Sequence, residues 1–504
     1  MMASYQWTGN ALTGRFATAG NWKTATTNPA TVPPGSSDTA IIVDAANPIA
    51  GTGTAQILNF GGTDQVEGHL VTMFGCPVNA NLTLLPGSTL TTPMLHLVLS
   101  FPPNPVTTTT WTMTVREHSR IAISGGNAPD TYAIQIANMD SPPGTGSLVV
   151  QGAHAVVDCD NLPMSVGQAG TGVLTIRDGG VVSVGNGDPL IYPWALVVGN
   201  HSTGNGTVEV SKASLVARGQ IIVGRACVGT LNVNEGGLVV ANDMTIGWSA
   251  PSQSNASTPT ASMPNTSPPN QGEGKGSVTV KGKDARLLID NLLEVQHMGA
   301  GSLTVADEGF VSAGIGIIVN GTLSLAGGLI QTTALGVNSG GTLTGHGTVI
   351  ATAGFSNMGG AITAETQLNL IGDIDNGGTI TVAAGGELRC VGSLDDTGSI
   401  SLQANSVASL EAVTSSQTIK FAGNDARLVL RSPGPGVFSG VIEDFAKTHS
   451  IELETEASGF NFAAGVLTLT HPASTVVAEL QMSGTYSPFD FKLVSGTHSV
   501  ITLT

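Results

Sequence analysis

The chain has 504 residues, 67 of them Gly, with 18 Lys+Arg against 35 Asp+Glu and a formal net charge of −17. So few cations exclude the dense basic groove that a phosphate backbone needs, so no nucleic-acid partner is expected; anionic membrane surfaces are disfavoured for the same reason. A hydrophobic share of 41% with 11% charged residues excludes disorder, and Gly without a strict three-residue period excludes collagen.

Residues 1–45 open with MMASYQWTGN, which lacks a basic n-region followed by an apolar stretch, so no classical signal peptide is visible. They carry Trp7, Phe16 and Trp22 in a chain with 4% aromatics. The open end of a repeat fold exposes strand edges and apolar interior. These three rings are therefore expected to cap that end or to serve an end-to-end contact.

From 46 to 435 one unit recurs: Gly, a small residue, then an aliphatic. It runs from Gly146-Ser147-Leu148 through Gly172-Val173-Leu174, Gly206-Thr207-Val208 and Gly229-Thr230-Leu231 to Gly398-Ser399-Ile400, eleven copies in all. The second residue after the Gly is Leu, Val or Ile in every copy, and the fourth is branched and aliphatic in all but two, which have Gly345 and Ala364. Period-two alternation turns one face of a short strand inward. Pairs such as Gly179-Gly180, Gly236-Gly237 and Gly385-Gly386 suit turns that need positive φ.

One such unit cannot bury its apolar face alone; stacking covers it and builds aliphatic ladders. The expected fold is all-β: a single-stranded parallel β-helix of about 16 coils, right-handed by the rule for parallel crossovers. It would have an N-terminal cap over 1–45 and a small antiparallel β module over 436–504. Residues 249–272, rich in Pro, Ser, Asn and Thr, read as a side loop. Phe101-Pro102-Pro103-Asn104-Pro105 reads as another. No run of 18 or more apolar residues occurs, so no membrane insertion is expected.

VGQAGTGVLTIRDGGVVSVGN (166–186) and GTLNVNEGGLVVANDMTIG (229–247) resemble the autotransporter/PEP-CTERM-associated repeat of bacterial surface proteins, and residues 7–42 resemble the lead-in to such repeats. Residues 440–504 are similar to the C-terminal module of type I-secreted proteins, without the RTX nonapeptide. The resemblance implies an exported β-helical stalk, structural or adhesive, at the cell surface or outside the cell. An uncleaved C-terminal export signal would account for the missing N-terminal one.

Candidate chemistry is sparse. Asp158/Asp160 near His154, and Asp373/Asp375, have the i, i+2 spacing that puts two carboxylates on one strand face. A solvated turn explains them equally well. Arg218 and Arg225 are the closest cation pair that could line a groove, and the ten His show no ligand spacing. Cys76, Cys159, Cys227 and Cys390 stand alone and read as small buried side chains. No catalytic residue, cofactor or metal site is expected. Trp111, Tyr132, Tyr192, Trp194 and Trp248 could stack on sugars; Tyr192 and Trp194, in a widened repeat, are the candidate glycan contacts. The expectation is thus a non-enzymatic secreted structural protein, a matrix, adhesin or filament subunit that self-associates head to tail. A polysaccharide-active enzyme or glycan-binding adhesin using a lateral groove is the alternative.

Overall fold

The computed structural model describes residues 3–11, 13–43, 45, 47–97, 110–123, 132–137, 145–185, 194–249, 273–432, 434, 436–471 and 475–504. Strands dominate throughout; among the described residues the only helical turns are the 3-10 turns Ala19–Asn21 and Pro488–Asp490. The side loop beyond Ser249 and the Pro-rich stretch at 101–105 lie outside the described residues. Two compact units emerge: Met1–Asp290 with Gln296–Gly301, and Asn291–Val295 with Ser302–Thr504.

In the first unit each coil has three sides, and each side is one rung of a parallel ladder. One circuit runs Thr171–Arg177, Val181–Val184 and Trp194–Val198, then returns to the first side at Asn205–Ser211. On the first side Met113, Leu148, Leu174, Val208, Leu231 and Val278 lie in direct register. The second side aligns Ile121, Val157, Val182, Leu215, Val239 and Leu287. Leu95, Ile134, Met164, Leu196, Ile221 and Met244 form the third. Every one of these eighteen side chains is at most 1% exposed. Because alternate residues point inward, an in-register parallel stack makes each aliphatic cover the one below it. Full burial of each such side chain contributes roughly 1.5–3 kcal/mol. A single-sequence period of two therefore becomes a continuous core.

The corner from third to first side is built on Gly167, Gly199, Gly224 and Gly247, with φ of +72°, +71°, +75° and +73°. An L side chain there would be strained. It would also strike the backbone of the next coil, Gly199 against Val228 and Gly224 against Lys275.

The second unit repeats the plan with more regular coils. Leu303, Leu323, Leu343, Ile362, Ile380, Ile400, Ile419 and Ile442 form one inward ladder. Gly345 breaks the branched fourth position because the chain bulges there, with a register shift between Gly345 and Gly347. Its φ is +115°, and a Cβ would collide with the Leu325 carbonyl.

The parallel ladder overruns both boundaries expected from sequence. Ser4–Gln6 pairs in parallel with Thr39–Ile41, and Thr39–Val43 with Ile57–Gly61, so 1–45 contributes rungs of its own. At the other end Val441–Glu443 and Ser450–Leu453 still extend parallel ladders, and Gln481–Ser483 adds one more rung. Antiparallel pairing begins with Gly459–Ala463 against Val466–Thr470, and Ser499–Ile501 closes over Ile451–Leu453. An antiparallel strand across the last rung ends the stack, since it offers no continuing parallel register.

Candidate functional site

The third side of the first unit differs from the other two in its outward residues. Gln135, Ser165, Val197, Ile222 and Thr245 alternate with the inward ladder, yet they are only 8, 0, 0, 2 and 4% exposed. On the first side the outward neighbours Ser147, Thr175 and Thr207 remain half-buried. The third side therefore carries an outer layer.

A column of residues explains part of it. Each corner glycine is followed by one large side chain: Gln168, Asn200, Arg225 and Trp248. Equivalent corners stack from coil to coil, and so do these residues. Asn200 Nδ2 donates to Gln168 Oε1 at 2.5 Å and to Tyr132 OH at 2.9 Å; Ser165 Oγ donates to Gln168 Oε1 at 2.6 Å. Arg225 Nη1 donates to Asn200 Oδ1 at 2.7 Å. The Arg225 guanidinium carbon lies 4.7 Å from the Trp194 ring centroid and 5.3 Å from that of Trp248. Two indoles thus hold one cation, an arrangement that gains when water is excluded.

Burial pushes the Tyr132 phenol above its ordinary value, and the Arg225 charge with hydrogen bonds to Asn200 and Trp194 pulls it partway back. Arg225 Nε and Gln135 Oε1 are buried with no hydrogen-bond partner among the described residues. Chemically the column offers guanidinium and amide donors beside aromatic faces. That set suits a carboxylate and the C–H face of a sugar ring.

Other expected site residues are distributed differently. Trp194 joins this cluster, half-buried; Tyr192 lies outside the described residues. Trp7, Phe16 and Trp22 turn inward, at 9, 1 and 0% exposure. Trp22 meets Trp7 edge-on at 5.0 Å and Phe16 at 4.9 Å, and its Nε1 donates to the Phe16 carbonyl at 2.7 Å. Gly53 leaves the space that the Phe16 ring fills. The rings close the core and leave little surface for an end-to-end contact, which corrects that half of the expectation.

Asp158 accepts from Arg120 at 2.7 Å and caps the Asp160 amide, whose φ of +52° marks a turn. Asp373 accepts from the Ser393 amide and hydroxyl at 2.8 Å each, and these bonds lower its carboxyl below the usual range. Both are accounted for by local ties. Arg218 is exposed on another corner and does not join Arg225. All four cysteines are free; Cys76, Cys159 and Cys390 are buried, and burial pushes the Cys390 thiol up to about 12. Among the described residues no three His, Cys, Asp or Glu side chains gather into a metal-binding group.

These features define a class: a three-sided parallel β-helix with a polar and aromatic layer over one side. No family model matches the chain, and no curated protein does. Among solved structures, the crystal structure of a TibC-catalyzed hyper-glycosylated TibA55-350 fragment is similar at 13% identity and a TM-score of 0.27, over 73% of this chain and 97% of that one. The fold assignment rests on the chain's own strand registers. No helix among the described residues is long and apolar enough to cross a membrane.

Proposed function

We propose that this chain is a structural β-solenoid of a bacterial surface or extracellular matrix, acting as scaffold or adhesin through the lateral faces of its stacked coils. The observation that carries the reading is the set of in-register aliphatic ladders. Side chains that interlock rung upon rung stiffen each unit, and along the first ladder of the second unit the outward positions are left mostly to Ser and Thr. Export by a C-terminal signal belongs to the same reading, resting on the resemblance of 440–504. Deleting 436–504 would also strip Val441–Glu443 and Ser450–Leu453 from their ladders, so it would confound export with folding. Moving 436–504 onto an inert passenger separates them: secretion of the fusion is expected, and retention removes the export claim.

Electron microscopy over a concentration series tests assembly. Because Trp7, Phe16 and Trp22 are buried, lateral rather than head-to-tail association is expected. Particles that lengthen with concentration would reject this.

A second reading, a glycan-binding face, is favoured by Arg225 held between Trp194 and Trp248. A glycan array should then return carboxylated sugars, with Arg225→Ala abolishing the signal and Arg218→Ala leaving it. Equal binding by both variants would remove the column from the account.

A further inference from the structure

One face of the second unit is more regular than its fold requires. Outward residues flank each inward aliphatic of its first ladder, as in Thr322-Leu323-Ser324, Thr342-Leu343-Thr344, Thr379-Ile380-Thr381 and Ser399-Ile400-Ser401. From Ser302 to Lys420 these make two ranks of seven, aligned by direct strand register. Twelve of the fourteen positions carry a hydroxyl; Ala361 and Lys420 are the exceptions. All are half-buried or exposed. The other sides of the same unit show no such rule: their outward positions include Gln331, Asn369 and Arg389 on one, and Asp375 and Asp395 on the other.

A second observation concerns flatness. Successive first-rank positions, 322, 342, 361, 379, 399 and 418, are separated by 18 to 20 residues. No long insertion overhangs the face. Strand spacing then sets hydroxyls about 4.8 Å apart along each rank, and two residues along a strand set the ranks about 6.7 Å apart.

Such a lattice resembles that of ordered water. Tetrahedral water with O–H···O bonds of about 2.8 Å has next-nearest oxygens about 4.5 Å apart and a stacking repeat of about 7.4 Å. Over the seven rungs the first mismatch sums to about 1.8 Å, and between the two ranks the second is about 0.7 Å. Threonine adds a methyl beside each hydroxyl, and the absence of charge before Lys420 avoids ionic hydration shells that would break the pattern. One carboxylate does meet the ranks: exposed Glu365 accepts from the Thr344 hydroxyl at 3.0 Å, which sets that rung apart from the others.

We propose that this two-rank hydroxyl face binds the surface of ice. The proposal goes beyond the scaffold reading and does not depend on it. The test uses the purified full chain, fluorescently labelled, in a slowly grown ice hemisphere, together with ice-recrystallisation assays. The native protein should enter the ice and shape crystals. Thr379→Tyr/Thr381→Tyr, which breaks both ranks at one rung, should lower incorporation at least tenfold with an unchanged circular-dichroism spectrum and melting point. Gln331→Tyr, on the neighbouring side, should incorporate as the native chain does. Exclusion of the native protein from ice overturns the proposal, as does equal incorporation of the two variants. Retention on crystalline cellulose with exclusion from ice would also overturn it, assigning the face to a polymer instead.

Discussion

Leu174→Ala is the most direct probe of the ladder. Leu174 is fully buried between Leu148 and Val208 on adjacent rungs. Truncation removes three carbons, about 2.4 kcal/mol of transfer free energy at about 0.8 per methylene. The neighbours sit on hydrogen-bonded strands, Thr145–Gln151 and Asn205–Ser211, so the site cannot collapse. A cavity contribution raises the expected loss to about 3–4 kcal/mol. The outward control Thr175→Ala should cost under about 0.5 kcal/mol. Urea denaturation followed by circular dichroism gives the totals, and amide exchange gives the location. Since a stacked repeat contacts only its neighbours, protection should fall first in those two adjoining strands. A loss below about 1 kcal/mol for Leu174→Ala, or an equal loss for Thr175→Ala, would refute the ladder argument.

Gly206→Ala drives a Cβ into the Val166 carbonyl and the Gly199 amide, and should cost at least about 2 kcal/mol. Gly385→Ala meets open space at a φ of +72° and should cost only about 1 kcal/mol; thermal melts of both check the contrast. At about pH 8, where only thiolates react well, Cys227 should be modified first. Cys76, Cys159 and Cys390, whose thiols burial keeps protonated, should stay silent until the chain is denatured; early labelling of two or more sites would contradict this. Tyr132 is an acid whose folded value is raised, so the unfolded phenol ionises first and stability falls as pH rises past about 10. Tyr132→Phe should flatten that alkaline loss, measured as melting temperature against pH.

Much of the fold was legible because the code for it is local. Leu174 and Ile176 point inward by strand pleat alone, and Gly179, with φ +90°, stands where a turn needs a residue without Cβ. Chain ends were read less well. Ile442 and Ile451 lie past the last Gly repeat, yet both occupy ladder rungs. Strand pairing needs only an apolar residue in register, so repeat glycines are dispensable there.

The candidate site was legible only in pieces. Arg218 and Arg225 are seven positions apart in sequence, but the third-side segment 220–223 lies between them, so the two stand at different corners. The actual neighbours of Arg225, Asn200, Trp194 and Trp248, come from adjacent coils of unequal length. A usable signal was present: the residue after each corner glycine, Gln168, Asn200, Arg225 and Trp248, repeats in position though not in type.

By itself, then, the sequence determined the coil, through residues that act on their immediate backbone: aliphatics at every second position and glycines at the corners. Only the tertiary structure decided which outward residues meet. Stacking converts a separation of one variable-length coil into a spacing of about 4.8 Å, and no periodicity within a coil records that. The same stacking buries Trp7, Phe16 and Trp22 in the cap, gathers one cation between two indoles, and aligns scattered hydroxyls into two ranks.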